Sequence, residues 1–258
     1  MTTWTFDGVD LSSFGTITLL DDYLDVANKR GDNQTIPKKH GAIFVPKYFD
    51  ERDIAIGIAM KYGTAELLEA AFDSLKALVA KRAQKVLSNT RANASVRTAL
   101  ASIEGQIQAK RESYNFARVV LTFKLAEPFF RGATLVDEGV VVNASPKTLA
   151  VDNVGTVEEN NPTIILTGPL SNVTITNTEN GVSLTYTGTI ASPRIVTIQQ
   201  VNGEYVATND LGANVIGNLS HEGSESLMVL EPGNNDLSIV DATHTTGEVR
   251  ITFYPPYL

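Results

Sequence analysis

The sequence contains no cysteine and only three histidines. The first absence removes disulfides, thiolate metal sites and cysteine nucleophiles together, and leaves a chain indifferent to redox state. His40, His221 and His244 include no i, i+4 pair that would hold a metal. His221, followed by Glu222, and His244 come closest to a candidate pair, but solvated histidines in acidic loops are the simpler reading. No serine sits in a Gly-x-Ser-x-Gly elbow, and the glycines fall singly at turns rather than in a phosphate-cradling loop. No apolar run reaches the ~18 residues that suggest a membrane span. The start, Met1-Thr2-Thr3-Trp4-Thr5, has neither a basic segment nor an apolar one, so no secretory signal is read there and folding is expected inside the producing cell. A basic block is missing as well, and the net charge of −8 argues against tight nucleic-acid binding. No metal or cofactor is called for.

What is present is 258 residues with 43% apolar character, enough for about two domains, each with its own core. Charge divides the chain. Residues 1–131 carry 18 Lys and Arg against 15 Asp and Glu, a balance of +3; residues 132–258 carry 3 against 14, a balance of −11. Such a break in composition marks a domain boundary, giving domains 1–131 and 132–258. The junction Glu127-Pro128-Phe129-Phe130-Arg131-Gly132 fits, because proline ends a strand and glycine frees a turn. Phe129 and Phe130 are read as packing between the two halves.

The first half mixes strands with one helix. Leu68, Phe72, Leu75 and Val79 build an apolar stripe over residues 64–82, with Thr64 as the cap. Glu66 and Glu69 near the start, and Lys81 and Arg82 near the end, suit the helix dipole. Residues 53–60 alternate: Ile54, Ile56, Ile58 and Met60 point one way, and Ala55, Gly57 and Ala59 the other. Residues 117–125 repeat the pattern with Val119, Leu121, Phe123 and Leu125. Between them, residues 95–112 read as two strands or a long bent hairpin arm.

The second half reads as strand and turn throughout. Apolar runs occur at 163–167, 172–176, 182–186, 194–198, 204–207, 226–230, 236–240 and 248–254, separated by Gly, Asn, Asp and Pro. Asn180-Gly181 and Asn202-Gly203 suit tight hairpin turns in which both residues take positive φ. Short strands at this spacing predict an antiparallel sandwich. The carboxylate pairs Asp21-Asp22, Asp137-Glu138 and Glu158-Glu159 are adjacent in sequence, which on a strand sends them to opposite faces, so they make no catalytic dyad. Arg30-Gly31-Asp32 is an integrin-type tripeptide, read here as a turn.

The first ~50 residues resemble the distal tail (Dit) family of siphophages. The matching pieces are Phe6-Asp7-Gly8-Val9-Asp10-Leu11-Ser12, Asp21-Asp22-Tyr23-Leu24-Asp25-Val26, Lys29-Arg30-Gly31-Asp32-Asn33 and His40-Gly41-Ala42-Ile43-Phe44. The strand ending Phe123-Lys124-Leu125-Ala126-Glu127-Pro128 is also typical of the family. The second half is similar in pattern to the galectin-like domain that follows in many members. The resemblance implies a mainly β fold: an N-terminal β-sandwich with one α-helix and a β-hairpin arm, then a C-terminal galectin-like antiparallel β-sandwich. It implies no enzyme but a structural part of the virion's tail tip, assembled in the host cytoplasm and independent of membranes.

Family members form rings, usually hexameric, with the N-terminal domains as ring body. The ring joins the tail tube protein to the tip hub, or tail-associated protein, close to the receptor-binding protein. Genomic DNA passes through without being bound. Arg30, Gly31, Asp32, His40 and Gly41 match ring-body segments and are assigned by resemblance to assembly. Exposed strand edges can supply such contacts by β-augmentation. The alternative is a carbohydrate-binding adhesin that reads host glycans through residues 132–258. Tryptophan, the best sugar-stacking residue, occurs only as Trp4, which leaves Tyr186 and Tyr205 as candidate sugar contacts.

Overall fold

The computed structural model describes the chain apart from residues 1–2, 21–25, 32, 36–39, 41, 44–46, 105–106, 202, 224–225 and 244–245. Its contacts divide into two compact units, residues 1–133 with Leu258 and residues 134–257. Both are built mainly of antiparallel strands.

In the first unit the strands run in the order Val9–Asp10, Thr3–Phe6, Lys85–Thr90, Val96–Ile103, Phe116–Leu125, Arg52–Lys61 and Thr16–Leu20. Val96–Ile103 belongs to two layers. Its first part pairs with Lys85–Thr90, while Ser102 and Ile103 pair with Lys124 and Phe123. Each strand turns its apolar set inward, as period-two alternation requires. Ile54, Ile56, Ile58 and Met60 meet Ala117, Val119, Leu121 and Phe123 in that core, all buried. Phe6 packs on Phe123 with ring centroids 5.1 Å apart.

Two local features fix the entry to this unit. Asp7 (φ 50°) and Gly8 (φ 79°) form the tight link between Thr3–Phe6 and Val9–Asp10, as expected of an Asp-Gly turn. Gly15 lies so close to the next strand that a Cβ there would sit 2.3 Å from the Ala59 carbonyl oxygen. Only glycine lets Thr16–Leu20 dock against Arg52–Lys61 at this point.

The helix spans Ala65–Val79, with the Thr64 hydroxyl accepting from Leu67 N at 3.3 Å. It buries Leu68, Leu75 and Leu78. The junction phenylalanines pack inside the first unit: Phe130 is edge-on to Trp4, and Phe129 is edge-on to Phe49 at 5.5 Å.

Of the two sequence readings of residues 95–112, two strands is the one the structure shows. Val96–Ile103 and Gln108–Ser113 do not fold against each other; both lie along one edge of Phe116–Leu125. The hairpin is therefore Gln108–Ser113 with Phe116–Leu125, turning at Tyr114 and Asn115. The reason is chemical: Gln108–Ser113 has no apolar alternation, and only the long apolar strand offers it a ladder.

The second unit is a sandwich of two five-stranded sheets. One has the order Val136–Val141, Glu248–Phe253, Thr163–Thr167, Ile195–Val201, Glu204–Asn209; the other Lys147–Asn153, Gly233–Val240, Leu170–Asn177, Ser183–Ile190, Leu219–Glu222. Ile164, Leu166, Val249 and Ile251 face Val151, Ile175, Leu184 and Ile239 in one core.

Three sequence readings need revision here. Residues 226–230 form no strand; beyond an isolated bridge between Glu159 and Leu230, they are a buried loop. Leu227, Met228, Val229 and Leu230 are all buried, and buried asparagines replace the ladder. Val229 O accepts from Asn177 Nδ2 (2.8 Å) and Asn180 Nδ2 (3.1 Å), and Leu230 O from Asn153 Nδ2 (3.1 Å). At Asn180-Gly181 only the glycine has positive φ (76°), because Asn180 is engaged, accepting also from Val182 N. Asn202 lies outside the described residues. Finally, Val136–Val141, Lys147–Asn153 and Leu219–Glu222 are strands without a strong apolar signature.

Candidate assembly surfaces

Of the residues singled out for assembly, Arg30 lies in a short two-stranded ladder. Arg30 pairs with Tyr48 and Lys29 with Phe49, and Gly31 follows with φ 116°. Lys29 Nζ lies 4.9 Å from the Phe49 ring centre. His40 is exposed; Asp32 and Gly41 lie outside the described residues. The tripeptide is thus exposed at Arg30 and Gly31, at the end of a two-residue strand.

Both candidate sugar contacts are turned into the second sandwich. Tyr186 is 6% exposed, and its hydroxyl accepts from Asn218 Nδ2 at 3.2 Å. Tyr205 packs against the same core and donates to Asn161 Oδ1 at 2.9 Å. The outer face of the sheet that contains Tyr186 presents Thr148, Thr174, Thr176, Ser183, Thr185 and Ser238 instead of aromatic rings.

His221 is exposed on an edge strand and His244 lies outside the described residues. Among the described residues no three His, Asp or Glu side chains are grouped to hold a metal. Of the carboxylate pairs, Asp137 binds Arg250, Glu158 is exposed beside buried Glu159, and Asp21-Asp22 lies outside the described residues.

What the sequence reading missed is a sheet with open sides. Gln108–Ser113, Phe116–Leu125, Arg52–Lys61 and Thr16–Leu20 follow one another, and the two outer strands each pair on one side only among the described residues; Val96–Ile103 meets the far end of Phe116–Leu125, beyond Gln108–Ser113. All six residues of Gln108–Ser113 are exposed. The hairpin tip is nevertheless fixed. Asn115 Nδ2 donates to Tyr62 O (2.8 Å), and Tyr62 N to Asn115 O (3.0 Å). Arg111 donates to the Tyr114 and Ser113 carbonyls and pairs with Glu69 of the helix at 3.2 Å. Tyr62 donates to Phe14 O, and burial pushes its phenol pKa up. Tyr114 projects from this tip, 68% exposed.

On the sheet's outer face lies an open trough of about 240 Å³, lined by Thr18, Gly57, Ala59, Arg118 and Val120 with backbone of Ile58 and Val119. Its floor follows from the alternation of Arg52–Lys61, which sends Ala55, Gly57 and Ala59 outward. Nearby cations are held by carboxylates. Arg118 pairs with Glu112 at 3.3 Å, and Lys124 with Glu51 (2.6 Å) and Glu104 (3.3 Å), which drive the ammonium pKa further up. At the entry turn, the hydrogen bond from Lys81 holds the Asp7 carboxyl below the ordinary carboxylate range, and Lys85 at 3.8 Å adds to it.

These surfaces offer strand edges and a trough. Residues 8–125 match the family model of the phage tail protein RIFT-related domain. The fold of the whole chain is similar to that of the Dit protein (gp 19.1) of phage SPP1, described as a paradigm of the hub adsorption apparatus in phages infecting Gram-positive bacteria. That likeness covers 100% of both chains with a TM-score of 0.71 at 16% identity. A chain of the phage P2 baseplate in its activated conformation with Ca is a weaker match, covering 98% of both chains with a TM-score of 0.46 at 8% identity. No curated protein matches the sequence. A phage tail domain is thus matched over residues 8–125, and the whole chain has the fold of a siphophage distal tail protein, a family and fold that are not those of an enzyme class.

Proposed function

We propose that the chain is a non-enzymatic ring component of the tail tip, joining the tail tube protein to the tip hub and the host-recognition apparatus, and assembled in the host cytoplasm. The observation that carries this reading is the sheet with two open edges, Gln108–Ser113 at one side and Thr16–Leu20 at the other. Open edges are templates for pairing with another chain. The sheet has four strands in this run, all antiparallel, so its edges run in opposite directions. Joining Gln108–Ser113 of one copy to Thr16–Leu20 of the next therefore continues the antiparallel pattern without a break. Such a head-to-tail contact closes into a ring when the rotation per copy divides a full turn.

The face of that sheet bearing Arg118, Val120 and Ala59 would repeat around the ring. Its small residues and neutralised cations suit a channel through which DNA passes without binding. The adhesin reading lacks comparable support, since the two tyrosines it names face the interior. The test is electron microscopy and mass photometry of the purified chain and of native tails. A closed symmetric ring, expected as a hexamer, supports the reading; a monomer in both settings overturns it.

A further inference from the structure

We infer that the ribbon formed by Lys29–Arg30 and Tyr48–Phe49 docks on the acidic end of the second unit of a neighbouring copy; the inference rests on the ring reading above. Arg30 and Tyr48 are cross-strand partners and share one face of the ribbon, while Lys29 and Phe49 share the other. Lys47 stands just before the second strand, and all three cations are exposed, as is Tyr48 at 55%. The ribbon is nevertheless held in place. Asp50 N donates to Asn28 O at 2.7 Å, and the Phe49 ring meets Lys29 Nζ at 4.9 Å and the Phe129 ring at 5.5 Å. Arginine and tyrosine on a fixed frame lose little conformational freedom on binding, and both are enriched at interface hot spots.

Charge sets this ribbon apart. Elsewhere in the first unit Lys81 is tied to Asp7, Arg111 to Glu69, Arg118 to Glu112, and Lys124 to Glu51 and Glu104. Among the described residues Lys29, Arg30 and Lys47 have no carboxylate partner. The acid next to the ribbon, Asp50, turns Oδ1 to Glu51 N at 3.0 Å. Lys61, Arg82 and Lys110 also lack a carboxylate but are scattered over separate segments.

The complementary surface is on the second unit, where the balance is −11. Asp152 is opposite Asn234, Glu222 is opposite Ser183, and Thr178 N donates to Asp236 O at 3.0 Å. Asp152, Glu179, Glu222 and Asp236 therefore gather at one end of one sheet, and none of them meets a cation among the described residues. Within one chain neither charge is answered, which puts the counter-charge outside it. Every copy supplies one acidic end for each basic ribbon, and a ring holds the two at high effective concentration. Duplex DNA is a poorer occupant: three cations release too few counterions to hold it at physiological salt, and the exposed Tyr48 ring suits a protein surface. Exposed ion pairs are individually weak, so the contact acts through several at once and loosens with salt.

The test is zero-length carbodiimide coupling, which joins lysine amines to carboxylates in contact, on full-length rings assembled from an equal mixture of ordinary and heavy-isotope chains. Mass spectrometry is expected to find Lys29 or Lys47 joined to a carboxylate of the second unit in mixed-isotope pairs. The variant Lys29→Glu, Arg30→Glu, Lys47→Glu, with a thermal melt like the parent's, is expected to self-associate about tenfold more weakly at ~0.15 M salt. Adding Asp152→Lys, Glu179→Lys and Glu222→Lys to it is expected to restore association. Rings whose links from Lys29 and Lys47 are absent, or join residues of one chain only, overturn the docking and leave the ring reading standing. The same holds if native tails link these lysines only to another tail protein, or if duplex DNA at ~0.15 M salt displaces the links. A parent chain that forms no ring in solution or in tails overturns the ring reading, and the docking with it.

Discussion

At the residue scale, the second unit depends on polar side chains that a sequence reading assigns to its turns. Asn153, Asn177 and Asn235 are fully buried. Asn177 donates to Val229 O and to Asn235 Oδ1 (2.9 Å), and Asn235 donates in turn to the Glu231 and Gly233 carbonyls at 2.8 and 2.9 Å. Together they hold the loop that the apolar run 226–230 suggested was a strand. Nothing in sequence separates a buried asparagine from a turn asparagine, because both fall in polar segments between apolar runs. The Asn177→Ala variant should lose about 1–3 kcal/mol, since it removes two hydrogen bonds, to Val229 O and Asn235 Oδ1, at a fully buried site; chemical denaturation monitors the loss. Asp7 gives a pH signature. Its carboxyl pKa is lower in the folded state, so its stabilisation is complete above the ordinary carboxylate range and is lost as pH falls through the lowered value. Thermal melts from neutral to acid pH should fall less steeply for Asp7→Asn than for the parent.

At the element scale, strongly patterned segments were legible and weakly patterned ones were not. The stripe from Leu68 to Val79 marks the helix, and the alternation at Ile54 to Met60 and Val119 to Leu125 marks the two long strands. The same alternation placed Ala55, Gly57 and Ala59 on one face, so the trough's floor was visible before its meaning was. Gln108–Ser113 carries no such pattern; its strand state is imposed by the neighbouring apolar strand, and its partner could not be read from its own residues. Adjacent residues of an edge strand point their N–H groups in opposite directions, one into the ladder and one into the open. Proline at Ala109 and at Lys110 should therefore behave differently. One variant loses a ladder hydrogen bond and about 1–3 kcal/mol of stability. The other keeps the parent's melting temperature but presents an edge with a missing donor, and self-association should fall. Paired melting and mass-photometry measurements on Ala109→Pro and Lys110→Pro check this; parent-like assembly of both would remove the edge from the interface.

At the scale of the whole molecule, charge constrains function more than any single site does. The second half carries 3 basic residues against 14 acidic ones, and two of the three cations are occupied, Arg194 by Asp210 and Arg250 by Asp137 and Glu248. The −11 surface therefore keeps almost no basic side chain for a phosphate. In the first half the balance is only +3, and Arg118 at the trough and Lys124 farther along the same strand are tied to carboxylates. Non-specific DNA binding requires several Lys or Arg side chains that release counterions together, and its affinity falls steeply with salt. The proposed ring, with this distribution, should let DNA slide past without holding it. Gel-shift and fluorescence-anisotropy titrations of the purified chain with duplex DNA at ~0.15 M salt should show no saturable binding below about 10⁻⁴ M, with little gain as salt is lowered. Binding at micromolar protein with a steep salt slope would mean that cations outside these ion pairs gather on one face, and a passive channel would no longer describe the assembly.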